Sequence, residues 1–102
     1  MSKVIFSIRY NIFPEKREEY LDVVRELKNL VKSEGLENYS VYEQKNKPNS
    51  FEEIYIFKNN ESYETFEDNT DERIDLLMTK LSDLIKEQTT QYTTLFEVNS
   101  AQ

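Results

Sequence analysis

Apolar side chains recur in two stretches of the chain with one shared spacing. In each stretch successive members lie three, one, three, three and one residues apart. This spacing places all members on one face of an α-helix, so each stretch predicts an amphipathic helix with one buried side. The first ladder is Tyr20, Val23, Val24, Leu27, Leu30 and Val31, and the second is Ile74, Leu77, Met78, Leu81, Leu84 and Ile85.

Strand-like runs precede and follow each predicted helix. They are rich in aromatic and β-branched residues and they predict strands over residues 3–13, 39–44, 51–57 and 92–98. The resulting order is strand, helix, strand, strand, helix, strand. That order is the split βαβ arrangement of the ferredoxin-like fold, an α+β class with an antiparallel sheet. The length favours a single domain over residues 1–102.

Local signals predict where the helices begin and end. Pro14 suits the first position of the first helix, where its missing N–H costs nothing. Gly35 is the one glycine and is expected in the left-handed position that ends this helix near residue 34. The remaining predictions are a hairpin connection over 45–50, a short helix over 61–68 capped by Asn59 or Asn60, and a second long helix over 71–87.

Strand alternation assigns side chains to two faces of the sheet. The face covered by helices is expected to hold Phe6, Ile8, Tyr10, Val41, Tyr55 and Phe57. The opposite face is expected to show Ile5, Tyr42, Ile54, Ile56, Phe96 and Val98. A face this apolar is not left in water, and no part of the chain remains to cover it. We therefore expect a homodimer in which a second copy covers this face. Arg9 and Glu52 lie on the same side, where they either pair across the dimer or remain solvated.

Composition excludes several classes of function. The net charge is -7 and no basic cluster exists, which argues against binding to nucleic acid or to an anionic membrane. The chain has no cysteine, no histidine and no tryptophan, so thiolate catalysis, zinc and histidine-ligated haem are not expected. No signal peptide and no membrane-spanning run are apparent, which favours a cytoplasmic protein.

Three stretches resemble the antibiotic biosynthesis monooxygenase (ABM-like) family of the dimeric α/β-barrel superfamily. The first is strand one with Phe13-Pro14-Glu15-Lys16-Arg17-Glu18-Glu19-Tyr20, like the family's strand, Pro-Gly-Lys and Glu-rich helix opening. The second is Gly35-Leu36-Glu37-Asn38-Tyr39-Ser40-Val41-Tyr42-Glu43. The third runs from Phe51 to Phe66, like the family's "Phe-x-x-x-Glu-x-Trp-x-Ser-x-Glu-Ala-x-x-x-His" signature. The resemblance implies a dimeric α/β barrel and oxygenation of a quinone-like or polyketide-like molecule without a cofactor.

The chain departs from the family's pattern at three functional positions. Tyr55 stands where many members have Glu, Phe57 where many have Trp, and Phe66 where many have His. The haem-degrading branch uses an Asn, a Trp and a His, and the matching strand-one position here is Ile8. The resemblance therefore does not imply haem degradation, and no haem, zinc or flavin is expected.

The expected ligand site lies between the sheet and the helices. Its candidate residues are Tyr10, Glu53, Tyr55, Phe57, Tyr63 and Phe66. They either line a cavity for a small aromatic molecule or fill it as core. Glu53 shares the face of Tyr55 and is expected near the rim. There it either faces the cavity with a raised pKa and acts as a base, or it reaches solvent or pairs with a lysine. The acidic run Glu64, Glu67, Asp68, Asp71 and Glu72 lacks the spacing of a calcium loop and predicts a solvated face.

Two functions of different class remain open at this point. The first is a monooxygenase-like enzyme, and the second is a non-catalytic member that binds a ligand or partner in a regulatory or stress role. An open cavity with a buried, hydrogen-bonded polar group favours the enzyme. A cavity filled by Phe57 and Phe66 favours the second function.

Overall fold

The computed structural model describes residues 2–68 and 71–98. A 3₁₀ turn over Pro14–Lys16 precedes the first helix. The strands are β1 (Val4–Asn11), β2 (Leu36–Glu43), β3 (Ser50–Phe57) and β4 (Gln91–Phe96), and the helices are α1 (Arg17–Leu30), α2 (Asn60–Asp68) and α3 (Glu72–Ser82). The ferredoxin-like βαββαβ order predicted from the sequence is confirmed.

The four strands form one antiparallel sheet in the order β2-β3-β1-β4. The two central strands, β3 and β1, therefore carry the residues most deeply covered by the helices. Register places Glu53 opposite Ile8, and Ile8 opposite Tyr92. Because directly paired residues share a face, these three side chains form a row across the helix-covered side.

The core lies between the sheet and the two long helices. Both apolar ladders face it: Tyr20, Val23 and Leu27 of the first are buried, and so are Leu77, Leu81 and Leu84 of the second. On the sheet side the buried aromatic residues are Tyr10, Tyr39, Phe51, Tyr55 and Phe57. Within the described ranges, none of the helices has the length and apolar character needed to cross a membrane.

The first helix ends earlier than the sequence predicts, and Gly35 does not cap it. The helix stops at Leu30, and Val31 has an extended ψ of 94° while its side chain stays buried. Gly35 has the expected positive φ of 85°, but it introduces β2 instead. Its carbonyl accepts a hydrogen bond from the Lys58 N–H at 2.8 Å, which ties the start of β2 to the end of β3.

The second long helix also ends before its apolar ladder does. It stops at Ser82, whereas the sequence predicts residue 87. The next residues pair with the end of β1: Ile85 bridges to Ile12, and the Lys86 N–H donates to Asn11 O at 2.8 Å. The apolar ladder continues to Ile85 in this bridge, so apolar spacing alone overestimates the length of the helix.

The predicted cap of α2 is found, and the structure shows a cap on α3 that the sequence analysis did not assign. The side-chain oxygen of Asn59 accepts a hydrogen bond from the Ser62 N–H at 2.8 Å, which caps α2. Asp71 caps α3 through the N–H groups of Arg73 and Ile74. Polar side chains at these positions satisfy amide groups that have no partner within the helix.

The face turned away from the helices differs from the expected one at its β4 end. Ile5 pairs with Ile56, and Ser7 with Ile54, so these isoleucines share the open face as predicted. Phe96, however, pairs with Val4 and therefore lies on the helix-covered side, whereas Leu95 pairs with Ile5 and takes the open side. Val98 lies beyond the end of β4. The assignment of Phe96 to the open face was wrong because β4 pairs with β1 in the register that places Phe96 opposite Val4, on the helix-covered face.

Arg9 and Glu52 both lie near the end of this face and bind each other. They are directly opposite in the β1–β3 register, and the Arg9 guanidinium donates to Glu52 Oε1 at 3.1 Å. Both side chains are partly exposed, so the pair contributes little to stability. Arg9 and Glu52 therefore form this ion pair within the sheet of one chain.

Candidate functional site

A buried carboxylate surrounded by phenols lies at the centre of the helix-covered face. Glu53 projects from β3 and is only 1% exposed. Its Oε2 accepts a hydrogen bond from the Tyr10 hydroxyl at 2.8 Å. Its Oε1 accepts from the Tyr39 hydroxyl at 2.8 Å and from Tyr55 at 3.3 Å. The sequence predicts Glu53 near the rim of the site, and this position was wrong because three tyrosines hold the carboxylate inside.

A fourth phenol extends this network into α1. The Tyr20 hydroxyl lies 2.7 Å from that of Tyr10. Since Tyr10 donates its proton to Glu53, Tyr20 donates to the Tyr10 oxygen. Three hydroxyls, from β1, β2 and β3, therefore bond to the carboxyl group, and a fourth from α1 bonds to Tyr10. We call Glu53, Tyr10, Tyr20, Tyr39 and Tyr55 the tyrosine–carboxylate cluster.

Burial shifts the protonation equilibria of the whole cluster. Desolvation raises the pKa of Glu53, and the hydrogen bonds from Tyr39, Tyr10 and Tyr55 offset part of that increase. Desolvation, followed by the nearby Glu53 charge, raises the pKa of Tyr10, Tyr39 and Tyr55. The tyrosines are therefore neutral donors at ordinary pH, and the expected raised pKa of Glu53 is found.

A cavity of about 320 Å³ opens beside the cluster. Glu53 and Tyr10 line its buried end, and the apolar walls come from Ile8, Met78, Leu81, Ile85 and Tyr92. The exposed end is lined by polar residues of the α3–β4 connection, among them Lys86, Glu87 and Gln88. Its volume is at the lower end of the range of small-molecule sites, and its apolar walls with few polar groups are typical of them.

The sequence-predicted aromatic residues lie together, but mostly outside this cavity. Phe57 is fully buried and its ring lies 5.3 Å from that of Phe66 and 5.6 Å from that of Tyr63. Tyr55 contacts Phe66 at 5.5 Å between ring centres. The Tyr63 hydroxyl donates to Glu67 Oε1 at 2.9 Å. Of the six predicted residues, the structure brings Tyr10 and Glu53 to the cavity and packs Tyr55, Phe57, Tyr63 and Phe66 against one another.

Sequence reasoning missed two members of the cluster and most of the cavity wall. Tyr20 was assigned only to a helix ladder, and Tyr39 only to a strand. A signal was available, because a tyrosine at a buried apolar position needs a partner for its hydroxyl. The wall residues Met78, Leu81 and Ile85 gave no such signal because they fit the α3 ladder.

Comparison with known proteins supports the fold. No family model matches the chain, and no curated protein matches it. A solved structure of SnoaB, a cofactor-independent oxygenase from Streptomyces nogalater, is 14% identical with a TM-score of 0.75 and covers 96% of this chain and 95% of its own.

Two further solved structures agree with this result. An antibiotic biosynthesis monooxygenase is 20% identical with a TM-score of 0.69, covering 97% of this chain and 98% of its own. The chain has the fold of the antibiotic biosynthesis monooxygenases. A conserved protein from Methanosarcina mazei Go1, at 19% identity and a TM-score of 0.78, covers 93% of this chain and 92% of its own. The ABM-like resemblance seen in the sequence is thus confirmed at the level of the fold.

Proposed function

We propose that the protein binds a small aromatic molecule bearing a hydroxyl group in the cavity beside Glu53, and oxidises it as a monooxygenase that needs no cofactor. One observation carries this proposal. Glu53 is a buried carboxylate that lines an apolar cavity, and among the described residues its Oε2 accepts a hydrogen bond from one donor while Oε1 accepts from two. Each carboxylate oxygen has two lone pairs, so Oε2 retains capacity for a ligand's O–H.

The raised pKa of Glu53 makes this carboxylate a stronger base than an exposed glutamate. A phenolic hydroxyl donating to Oε2 would transfer proton density to it and leave an electron-rich ring. Tyr10 would hold the carboxylate in place, since its own hydroxyl is fixed by Tyr20. The apolar walls would bind the ring and limit the access of water.

The oxidation balances without a cofactor if the substrate supplies all the electrons. A ring CH₂ next to the activated system loses two hydrogens and becomes a carbonyl, which is a four-electron oxidation. Dioxygen accepts those four electrons, and one of its oxygen atoms enters the carbonyl while the other leaves as water. Glu53 would accept the first proton and return it to the departing water.

One structural relative supports an enzyme of this kind, since SnoaB is itself a cofactor-independent oxygenase. The chain has no histidine and no cysteine, which are the usual ligands of haem, zinc and iron–sulfur centres, so the proposed reaction does not use such centres.

A second candidate is a binding protein without catalysis. The observation that favours it is the filled aromatic interior, where Phe57 is fully buried against Tyr63 and Phe66. In this case Glu53 would serve only as the hydrogen-bond acceptor that orients the ligand. Oxygen uptake separates the two candidates, because only the enzyme consumes dioxygen.

Paired ligands test the binding step. Titration calorimetry compares 2-naphthol with 2-methoxynaphthalene, which has the same rings but no hydroxyl donor. We expect the wild type to bind 2-naphthol at least about tenfold more tightly, the value of a buried hydrogen bond to a charged group. Glu53→Gln should abolish this preference, and Glu52→Gln, one residue away on the opposite face, should keep it. Equal affinity of the wild type for both ligands would refute the proposal.

Oxygen consumption tests the chemical step. 1-Naphthol, a two-ring phenol whose keto tautomer has a ring CH₂ para to the oxygen, serves as the probe. The enzyme should consume dioxygen and place label from ¹⁸O₂ in the product carbonyl, and Glu53→Gln should be slower. Binding of the hydroxylated ligand without oxygen uptake would favour the second candidate.

We also propose that the protein is a homodimer whose second copy covers the open face of the sheet. Support comes from Ile5, Ile54 and Ile56, three isoleucines that the helices do not cover. Tyr42 and Leu95 lie on the same face and are 56% and 54% exposed. An apolar area of this kind is typical of an interface between subunits.

A further inference from the structure

A second cavity lies beside the first on the helix-covered side of the sheet. It measures about 230 Å³ and its apolar lining comes from Phe6, Phe66, Ile74 and Met78. Phe6 and Ile8 are two residues apart on one face of β1, and Ile74 and Met78 are one turn apart on α3. The two cavities are therefore neighbours along the line where α3 packs over β1.

Met78 is the one residue that lines both cavities among the described part of the chain. On the sheet side Phe6 lines the second cavity and Tyr92 lines the first, and their rings stack with centres 6.2 Å apart and planes 13° apart. These positions place the stacked pair between the cavities on the sheet side and Met78 between them on the helix side.

The two sides of this division differ in how readily they can move. Phe6 is held by ring contacts to Tyr55 at 5.6 Å and to Tyr63 at 5.9 Å, in addition to Tyr92. Met78 is only partly buried, and its side chain is unbranched with three rotatable bonds. A change of rotamer at Met78 would therefore join the cavities without disturbing the sheet.

We propose that Met78 is a movable partition that sets the length of the ligand this protein accepts. With Met78 as observed, the first cavity suits a ligand of about two fused rings. With Met78 displaced, a longer ligand with its hydroxyl at Glu53 extends into the second cavity. This inference rests on the proposed function and adds the size of the ligand and the residue that determines it.

The charge around the second cavity determines what the far end of such a ligand carries. Glu67, Asp71 and Asp75 line it with one cation, Lys32. Three carboxylates against one ammonium repel an anionic substituent. The far end is therefore a neutral or cationic group, and a carboxylate at that end weakens binding.

Substitutions at Met78 test the partition. Met78→Ala opens the division, and Met78→Ile closes it with a side chain of similar size that is stiff at χ1. Leu76→Ala is the matched control, because Leu76 is on the same helix but 69% exposed and away from both cavities. Thermal melts verify that each variant folds.

Two ligand series separate this inference from the proposed function. One contains 2-naphthol and 2-anthrol, and the other contains naphthalene and anthracene, which lack the hydroxyl. Fluorescence titration gives the Kd of each. Met78→Ala should tighten binding of the three-ring ligand by at least tenfold relative to the two-ring ligand in either series. Met78→Ile should weaken the three-ring ligand alone, and Leu76→Ala should match the wild type.

The outcomes are distinguishable. If hydroxylated ligands and parent hydrocarbons bind alike, the role of Glu53 is refuted, yet the effect of Met78 on ligand length remains measurable with the hydrocarbons. If Met78→Ala and Met78→Ile change the affinities for two and three rings by the same factor, the partition is refuted. Failure of every ligand to bind Met78→Ala would also refute it, since the joined cavity has to accept three rings.

Discussion

The Tyr10 hydroxyl donates to Glu53 Oε2 at 2.8 Å, and this bond joins the two central strands at the buried end of the cavity. Within residues 2–68 and 71–98, Tyr10 is the single donor to this oxygen. The remaining donors, from Tyr39 and Tyr55, lie on the other oxygen. This asymmetry is the basis for assigning Oε2 to the ligand.

The tyrosine–carboxylate cluster predicts an order of stabilities for substitutions at Glu53. Glu53→Leu removes the acceptor of three buried hydroxyls, and each hydroxyl left without a partner costs about 1–3 kcal/mol. Glu53→Gln keeps the shape and one acceptor oxygen, so it should be the milder change at pH 7. Urea unfolding of the two variants measures the difference, and equal stability would contradict the described hydrogen bonds.

The raised pKa of Glu53 also predicts a dependence on pH. The native state holds this proton more tightly than the unfolded chain, where the pKa is near 4.5. The free energy of unfolding of the wild type should therefore fall, relative to that of Glu53→Gln, as the pH rises from about 4.5 through the native pKa. A difference that is constant or that rises with pH would show that the pKa is not raised.

An ion pair near the β2–β3 hairpin predicts the opposite pH dependence. The Arg17 guanidinium donates to Glu43 at 2.7 and 2.9 Å, and the Asn49 N–H donates at 2.9 Å. These hydrogen bonds, of which the one from Arg17 has the larger effect, lower the pKa of Glu43 to about 2. The stability that Arg17 adds should be present above pH 4.5 and lost as the pH falls toward 2.

Arg17→Gln tests this pair, with Arg25→Gln as control because Arg25 bonds to Asp22 on its own helix. Carboxyl NMR should show a higher midpoint for Glu43 in the first variant and no change in the second. A Glu43 midpoint unmoved by Arg17→Gln would assign the low pKa to the Asn49 amide alone.

Gly35 is predicted to tolerate no side chain. Its φ of 85° costs other residues about 1–2 kcal/mol, and an added Cβ would lie 2.5 Å from Ser62 Cβ. Gly35→Ala should therefore destabilise by about 2–4 kcal/mol once overpacking is included. In a Ser62→Gly background the same change should cost less, because only the backbone part remains. Equal costs in both backgrounds, measured in a double-mutant cycle, would show that no collision occurs.

The open face predicts the effect of a charge on assembly. Ile54→Asp places a carboxylate at the centre of the proposed interface, where burial without a partner is costly. Sedimentation at micromolar concentration should give a dimer for the wild type and monomer or aggregate for the variant. Leu76→Asp, on the exposed side of α3, is the control and should remain dimeric. A monomeric wild type would refute the homodimer.

The sequence predicts the architecture well because its apolar ladders mark the positions that are buried in the folded chain. The ladder of α1 holds even at Val31, which stays buried after the helix has ended. For the same reason the ladder does not show where the helix ends, since residues beyond the end of a helix can also be buried. The face on which Phe96 lies depends on how many residues form the α3–β4 connection. The alternation of apolar and polar residues does not give that number.

The candidate site was predicted only in part, because the sequence pattern gives the face on which a side chain lies but not its partners from other elements. Strand parity assigns Tyr10 and Glu53 to the covered face, and the structure brings them to one cavity. Parity gives no information on contacts between distant elements. The burial of Glu53 depends on Tyr39 from β2 in addition to its neighbours, and the position of Tyr10 depends on Tyr20 from α1.

The most direct test of the ligand site is the ¹³C resonance of the Glu53 carboxyl carbon, followed by NMR with and without 2-naphthol. The proposal predicts a titration midpoint above 4.5 in the free protein and a shift of this resonance when the ligand binds, because the hydroxyl donates to Oε2. Binding of 2-naphthol that leaves the Glu53 carbon unmoved, or a midpoint at or below 4.5, would contradict it.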